Sequence, residues 1–154
     1  MAVHKIDGVD GVVNYPKKFV TLWASDAITK GDCVQIHEST TYGIGLTVEQ
    51  CDENDSNRAV GIAMGTVADG EKVTVQVAGY NDIATAQTVI DLWDLVGSDT
   101  DTDGRIQCLG GHATTGAGST ALTNGVVPFA LCIKAYTAGN ADGAIMVYDH
   151  GFYG

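Results

Sequence analysis

The sequence has few basic residues, few prolines and no long apolar run. Among its 154 residues, 8 are Lys or Arg and 19 are Asp or Glu, for a formal charge of −11. Phosphate neutralisation needs clustered Lys and Arg, so this balance argues against a nucleic-acid partner. The longest apolar run, 126–133, is far short of the roughly 20 residues of a membrane span, and charges near the start argue against a signal peptide. We expect a soluble protein with no membrane partner.

Helical periodicity is also scarce. The longest candidate helix, 81–93, contains β-branched residues that argue against it. The chain instead has 20 glycines and many short runs of Val, Ile, Thr and Tyr separated by turn residues, a pattern typical of β-strands. We therefore predict one all-β domain, in which the four cysteines are small buried hydrophobic residues rather than disulfides. These are Cys33, Cys51, Cys108 and Cys132.

The clearest strand pair lies in residues 58–80. Val73, Val75 and Val77 alternate with polar or small residues, which predicts one face toward a core and the other toward solvent or a partner. The residues at 68–70, Ala-Asp-Gly, tolerate positive φ and predict the reversal between the two strands. A second pair with an Asp-Gly turn at 142–143 is predicted within 128–153.

The sequence contains an internal repeat. Upstream of each strand pair lies another matching pair, "GDCVQI" with "GLTVEQC" and "WDLVGS" with "GRIQC", so 29–80 and 91–149 are interpreted as two degenerate strand-turn-strand modules. Two such modules predict a small β-barrel or sandwich. We place the domain at 21–154, preceded by an extended N-terminal arm at 1–20 whose net charge of +1 contrasts with the acidic remainder.

Two spacings are compatible with metal binding. Asp99, Asp101 and Asp103 match the first half of a calcium loop, but Gly110 stands where the bidentate Glu is needed, so an acidic solvated turn is the favoured interpretation. The other is the C-x3-H spacing of Cys33 with His37 and of Cys108 with His112. Strand residues four apart are separated by about 13 Å, too far to share one ion without a bend.

The sequence has no pattern that points to catalysis. It lacks a G-x-S-x-G nucleophile motif, a phosphate-binding loop and paired carboxylates in an apolar setting, so we expect neither an enzyme nor a cofactor. Trp23 and Trp93 are interpreted as core anchors. The uncharged Gly- and Thr-rich segment 109–127 is either a contact surface or a plain surface loop.

The stretch "AITKGDCVQI", followed by "NRAVGIAMGTVADGEKVTVQVAGY", resembles the module of tailed-phage head decoration (capsid cement) proteins. The resemblance covers residues 27–80 and extends to 91–149 only through the repeat. It implies a structural virion protein, made in the host cytoplasm, that binds the outside of an expanded capsid. There it would clamp adjacent subunits of the major capsid protein, as a homotrimer and without enzymatic activity.

In lambda-like relatives a leading arm docks on the capsid, and the resemblance implies the same for residues 1–20. The expected capsid-binding residues of this arm are Val9, Val12, Val13, Tyr15, Lys17 and Lys18. A second hypothesis is a head-fibre or tail-accessory module that contacts the host surface through the 109–127 segment. A small metal-dependent enzyme built on the Asp99–Asp103 cluster or the Cys and His pairs is a third.

Overall fold

The computed structural model describes residues 5–6, 9–12, 16–42, 46–52, 59–99, 101–110 and 126–149. Every regular element in these ranges is a β-strand, which confirms the predicted all-β class. None of them contains a helix that could cross a bilayer. The strands are β1 (Lys5–Ile6), β2 (Val9–Val12), β3 (Lys18–Ala24), β4 (Cys33–His37), β5 (Thr47–Gln50), β6 (Ala59–Ala63), β7 (Lys72–Asn81), β8 (Leu95–Ser98), β9 (Ile106–Gly110), β10 (Ala130–Lys134) and β11 (Ala144–Val147).

Five strands close into a barrel. Their order is β3-β5-β4-β6-β7, and β7 pairs again with β3. β3 runs antiparallel to β7 from Lys18 to Trp23 and parallel to β5 at Trp23 and Ala24. Closure pairs the strands that would otherwise be sheet edges. β1 and β2 form a separate antiparallel pair within the arm.

The sheet continues beyond β7 in the order β11-β10-β8-β9. This matches β7-β6-β4-β5 strand for strand, so both modules have the same pairing. A parallel bridge between Ala86 and Ile106 corresponds to the parallel contact of Ala24 with Val48. The chain at 79–86 thus joins β11 to β9, as β3 joins β7 to β5. We call residues 18–78 the first half and 79–147 the second half; each has one strand more than the sequence repeat included.

The long strand β7 belongs to both halves. The valines of β7 are buried in the core of the first half, as predicted. Gln76 and Ala78 lie on the opposite face, which was expected to meet solvent or a partner, yet they are only 1% and 5% exposed. The second half covers this part of β7, because Gly79 to Asn81 turn to pair with β11. The buried valines are Val73, Val75 and Val77.

A polar cluster fixes the point where β7 passes between the halves. Gly79 has φ +93°, and a Cβ there would lie 3.0 Å from Cα of Lys17, so the backbone conformation and the close approach both require glycine. The side-chain amide of Gln76 donates to the carbonyl oxygens of Ala78 and Tyr80 at 3.1 and 2.7 Å. Asn81 Nδ2 donates to Gln76 Oε1 at 3.1 Å, so these buried amides are hydrogen-bonded.

Two large apolar clusters and a small third one form the core of the described residues, and β4 lies between the two large ones. Val34 packs in the first-half cluster with the β7 valines, whereas its neighbour Cys33 faces the second-half cluster. Alternation along a strand explains this, because both faces of β4 are covered. The second-half cluster includes Ile90, Val96, Ile106, Phe129, Tyr136 and Ile145.

The turns between the last two strands of each half have glycine in the left-handed region. Gly70 has φ +78°, within the predicted 68–70 reversal, and Gly139 has φ +75°. The predicted turn at Asp142 and Gly143 is wrong. A Cβ on Gly143 would lie 2.3 Å from Cδ2 of Tyr136, so this glycine makes room for a ring. Asp142 instead accepts hydrogen bonds from the backbone N–H and hydroxyl of Thr137.

Candidate contact surface

The segment before β4 forms a compact turn, which we call the β4 turn (residues 28–33). The backbone N–H of Thr29 donates to Asp32 Oδ2 at 2.7 Å. The N–H of Gly31 donates to the carbonyl oxygen of Ala63 at 2.9 Å, and the N–H of Ala63 donates to that of Asp32 at 2.8 Å. An aspartate that caps its own turn in this way is a common local motif.

The segment before β8 repeats the same turn, which we call the β8 turn (residues 90–95). The N–H of Asp91 donates to Asp94 Oδ2 at 3.0 Å. The N–H of Trp93 donates to the carbonyl oxygen of Cys132, and the N–H of Cys132 donates to that of Asp94, both at 2.9 Å. Each hydrogen bond has its counterpart in the β4 turn.

The two turns differ at their central residue. Gly31 has φ +94° and Trp93 has φ +73°, so both lie in the left-handed region. Glycine adopts this region freely, but a bulky residue does so at a cost of roughly 1–3 kcal/mol. Gly31 is also confined, because a Cβ there would lie 2.4 Å from the carbonyl oxygen of Ile83.

The β8 turn and the residue before it have three large exposed apolar side chains within five residues. Val89 and Trp93 are each 58% exposed and Leu92 is 45% exposed. The interpretation of Trp93 as a core anchor is therefore wrong. The first half has Ala27, Lys30 and Gly31 at the corresponding positions. We call Val89, Leu92 and Trp93 the β8-turn patch.

Trp23 is not a core anchor either. It is half-buried on the outside of β3, where its ring stacks on that of Tyr42 with centroids 4.6 Å apart. The ammonium group of Lys72 lies over the same ring, 4.8 Å from its centroid. The outward position follows from alternation, because Leu22 and Ala24 fill the inward positions on either side.

The charge around the β8-turn patch is of one sign in sequence. Residues 81–104 contain six aspartates and no Lys or Arg. Asp91 is exposed and lies within the patch segment, whereas Asp94 is buried under the turn with a 1% exposed fraction. The Sγ of Cys108 donates to Asp94 Oδ2 at 3.1 Å. The patch is therefore an apolar surface on an acidic segment.

A second aspartate joins the two halves. Asp32 accepts a hydrogen bond from Gln50 Nε2 at 2.5 Å, and the backbone at Gly104 packs against its carboxylate. Burial raises the pKa of Asp32 above its usual value, partly offset by the hydrogen bonds of Thr29 and Gln50 and by the charge of Arg105. The β4 turn is thus fixed by contacts of Asp32 with Gln50 of the first half and with Gly104 of the second half.

The expected capsid-binding arm is described only in part. Val9 and Val12 lie in β2, and Val13 and Tyr15 fall outside the described residues. Lys17 lies over the ring of Tyr80, 5.3 Å from its centroid. Lys18 belongs to β3 and forms an ion pair with Asp149. Lys17 therefore contacts the second half, and Lys18 contacts the segment that follows it.

The acidic turn that matched half a calcium loop lies against the first half. Asp99 is 2% exposed and its carboxylate accepts a hydrogen bond from the N–H of Asp101 at 3.3 Å. Asp103 is exposed, and the N–H of Gly104 donates to the carbonyl oxygen of Cys51. Within the described ranges, no three His, Cys, Asp or Glu side chains are grouped as a metal ion would require.

The Cys and His pairs do not converge either. Cys33 is fully buried with its Sγ 3.5 Å from that of Cys51, while His37 lies near the surface with Nδ1 2.6 Å from Glu49 Oε2. Burial raises the pKa of the Cys33 thiol well above its usual value. His112 lies outside the described residues. All four cysteines are buried thiols rather than disulfides, as predicted.

The proposed contact segment 109–127 is described only at its ends. Leu109 belongs to β9 and is fully buried against Val126, and residues 111–125 lie outside the described part. Leu109 and Val126, at the two ends of the segment, are therefore part of the core. The sequence analysis did not predict the β8-turn patch, because the exposure of these side chains follows from the fold. One sequence signal did point to it: the repeat alignment places Trp93 opposite a turn glycine, Gly31.

No protein-family model and no curated protein matches this chain. Among solved structures, it is similar to the N base of the head fiber gp8.5 of bacteriophage phi29. The two proteins share a fold. The TM-score is 0.51 at 12% sequence identity, and the match covers 90% of this chain and 100% of that chain. The shared architecture therefore extends over both halves rather than over one module.

Proposed function

We propose that this chain is a structural protein of a phage virion that attaches to the outside of the head. The observation that carries the proposal is the fold shared with the whole of the phi29 head fiber base. The sequence resemblance of residues 27–80 to head decoration proteins independently favours the same location. Both support a head-associated role.

Within that role, we propose that the protein clamps adjacent major capsid subunits as a homotrimer. A small, closely packed β protein suits this role, because many identical copies each add a modest interface to the shell. The closed barrel of β3 to β7 suits it too, because its paired strands leave few sheet edges for unwanted association. The acidic body favours a neutral or basic docking face on the shell.

A head-fibre base is the second candidate, favoured by the similarity to the base of the phi29 head fiber. The two roles differ in copy number. A clamp occupies equivalent positions over the whole shell, whereas a fibre base needs only the positions that carry fibres.

Co-sedimentation of purified protein with expanded empty shells of the phage that encodes it tests both roles. Saturation near one copy per major capsid subunit supports clamping, and saturation well below that favours a fibre base. No binding to expanded shells contradicts both. Unexpanded shells provide the matched control, since the proposal requires the expanded form.

The predicted arm remains part of the proposal, with Val9, Val12, Val13 and Tyr15 as shell contacts. Deleting residues 2–15 retains Pro16 and Lys17, which pack against Gly79. We expect the shortened chain to keep its thermal unfolding transition and to lose most shell binding. Unchanged shell binding would show that the arm has no such role.

A further inference from the structure

The β8-turn patch has a tryptophan where the backbone favours glycine. Gly31 and Trp93 make equivalent hydrogen bonds and both have positive φ. The turn therefore forms without a side chain at this position. A residue held in a sparsely populated backbone region points to a use for its side chain outside the fold. At 58% exposure, the Trp93 side chain is available for such a use.

The neighbours of Trp93 differ between the halves in the same sense. Ala27 and Lys30 in the first half correspond to Val89 and Leu92 in the second, each with about half of its surface exposed. Exposed single apolar residues are ordinary, but three within five residues concentrate exposed apolar area on one short segment, as contact surfaces do. Tryptophan is also the residue type most enriched among those that dominate binding energy at protein interfaces.

Charge indicates what covers this patch. Asp91 is exposed inside it, and the chain has a formal charge of −11, with the exposed Lys134 two residues from Cys132, which accepts from the N–H of Trp93. Two copies meeting through this surface would bring two net acidic proteins together. An occupant with basic residues around an apolar recess would match it. A polyanionic surface would be repelled.

We propose that Val89, Leu92 and Trp93 dock into an apolar recess, rimmed by Lys or Arg, on the outer face of the phage head shell. This rests on the proposed function and gives it a contact site in the second half, apart from the arm. Trp93 is the central anchor, Val89 and Leu92 exclude water around it, and Asp91 pairs with the basic rim.

The test compares shell binding by the full chain with that of three variants. Trp93→Gly installs the residue that the first half has at this position, and Leu92→Ser removes a flanking apolar group. Leu46→Ser is the matched control, because Leu46 is 52% exposed but lies in the first half. Dissociation constants are measured by titrating labelled protein against expanded empty shells.

We expect Trp93→Gly and Leu92→Ser each to weaken shell binding by about tenfold or more, as for anchor residues of other interfaces. Leu46→Ser should change it less than about twofold. The effect of Asp91→Asn should shrink as the salt concentration rises, because it reports a rim charge. Circular dichroism checks that each variant is folded, and Leu92→Ser keeps the test decisive if Trp93→Gly is not.

Three results would overturn the inference. In the first, the wild type binds shells and both patch variants bind equally well, which leaves the proposed function standing. In the second, the wild type binds no shell, which removes the proposed function as well. In the third, sedimentation velocity shows that the patch variants have lost self-association, which makes a second copy the occupant.

Discussion

The β4 and β8 turns have the same backbone and different surfaces. In each, an aspartate accepts from the N–H three residues earlier, and the residue before it donates across to the neighbouring strand. In the first half that residue is Gly31, buried under the chain at Ile83. In the second half it is Trp93, exposed to solvent.

This difference shows which parts of the repeat are constrained by folding. The aspartate and the cross-strand hydrogen bonds are present in both copies because they fix the start of β4 and of β8. The residue at the position of Gly31 and Trp93 can differ between the copies where no other segment of the protein packs over it, as Ile83 does over Gly31. A substitution tolerated in one copy should therefore be disruptive in the other.

Gly31→Ala should cause the largest effect. The new Cβ would lie 2.4 Å from the carbonyl oxygen of Ile83 and would also be strained at φ +94°. We expect a loss of about 3 kcal/mol or more of unfolding free energy, measured by urea denaturation. Gly65→Ala is the control, since a Cβ there meets no atom within 4 Å. Equal stabilities would show that the constraint assigned to the β4 turn is absent.

The pH dependence of stability should have opposite signs for two aspartates. Burial raises the pKa of Asp32 in the folded state above its ordinary value of 3.8. The Asp32 carboxyl group therefore contributes stability to the fold below pH 3.8, and this stability is lost as the pH rises through the folded-state pKa. Asp32→Asn should therefore gain stability relative to wild type between pH 4 and 7. Urea titrations across that range measure the difference.

Asp142 provides the matched comparison. Hydrogen bonds from Thr137 lower the pKa of Asp142 in the folded state. The Asp142 carboxylate therefore contributes stability to the fold above pH 3.8, and this stability is lost as the pH falls through the folded-state pKa. Asp142→Asn should therefore be less stable than wild type at neutral pH and equal to it in acid. Parallel pH profiles for the two variants would contradict the contrast.

Tyr136→Phe should stabilise the second half slightly. Tyr136 lies where the first half has Val67, and its hydroxyl is buried without a hydrogen-bond partner among the described residues. Removing an unpaired buried hydroxyl should add about 1 kcal/mol or less to the unfolding free energy. Thermal unfolding measures this, and a lower melting temperature would indicate that the hydroxyl is satisfied.

Trp93→Gly should have the smallest effect on stability, although we expect it to weaken shell binding by about tenfold or more. Relief of the left-handed conformation is offset by the added freedom of glycine in the unfolded chain, so we expect a change within about 1 kcal/mol. Urea denaturation beside Gly31→Ala provides the comparison. A large loss of stability would mean that Trp93 supports the fold.

Sequence patterns predicted the all-β class, the strand of Val73, Val75 and Val77, and the buried cysteines, because period-two alternation and turn residues act locally. They did not predict that Gln76 is buried, since this depends on the second half covering β7. They also placed Trp93 in the core from residue type alone, whereas its exposure follows from the turn that holds it. The turn at 142–143 was misplaced because Gly143 is required by the ring of Tyr136 rather than by backbone conformation.

The most direct test of the account is an electron cryomicroscopy reconstruction of expanded shells saturated with the full-length protein. The account predicts ordered density for both halves on the outer surface, with the β8 turn at Trp93 seated in an apolar recess of the shell. Density absent from the shell surface, or bound density in which Trp93 faces solvent, would contradict it.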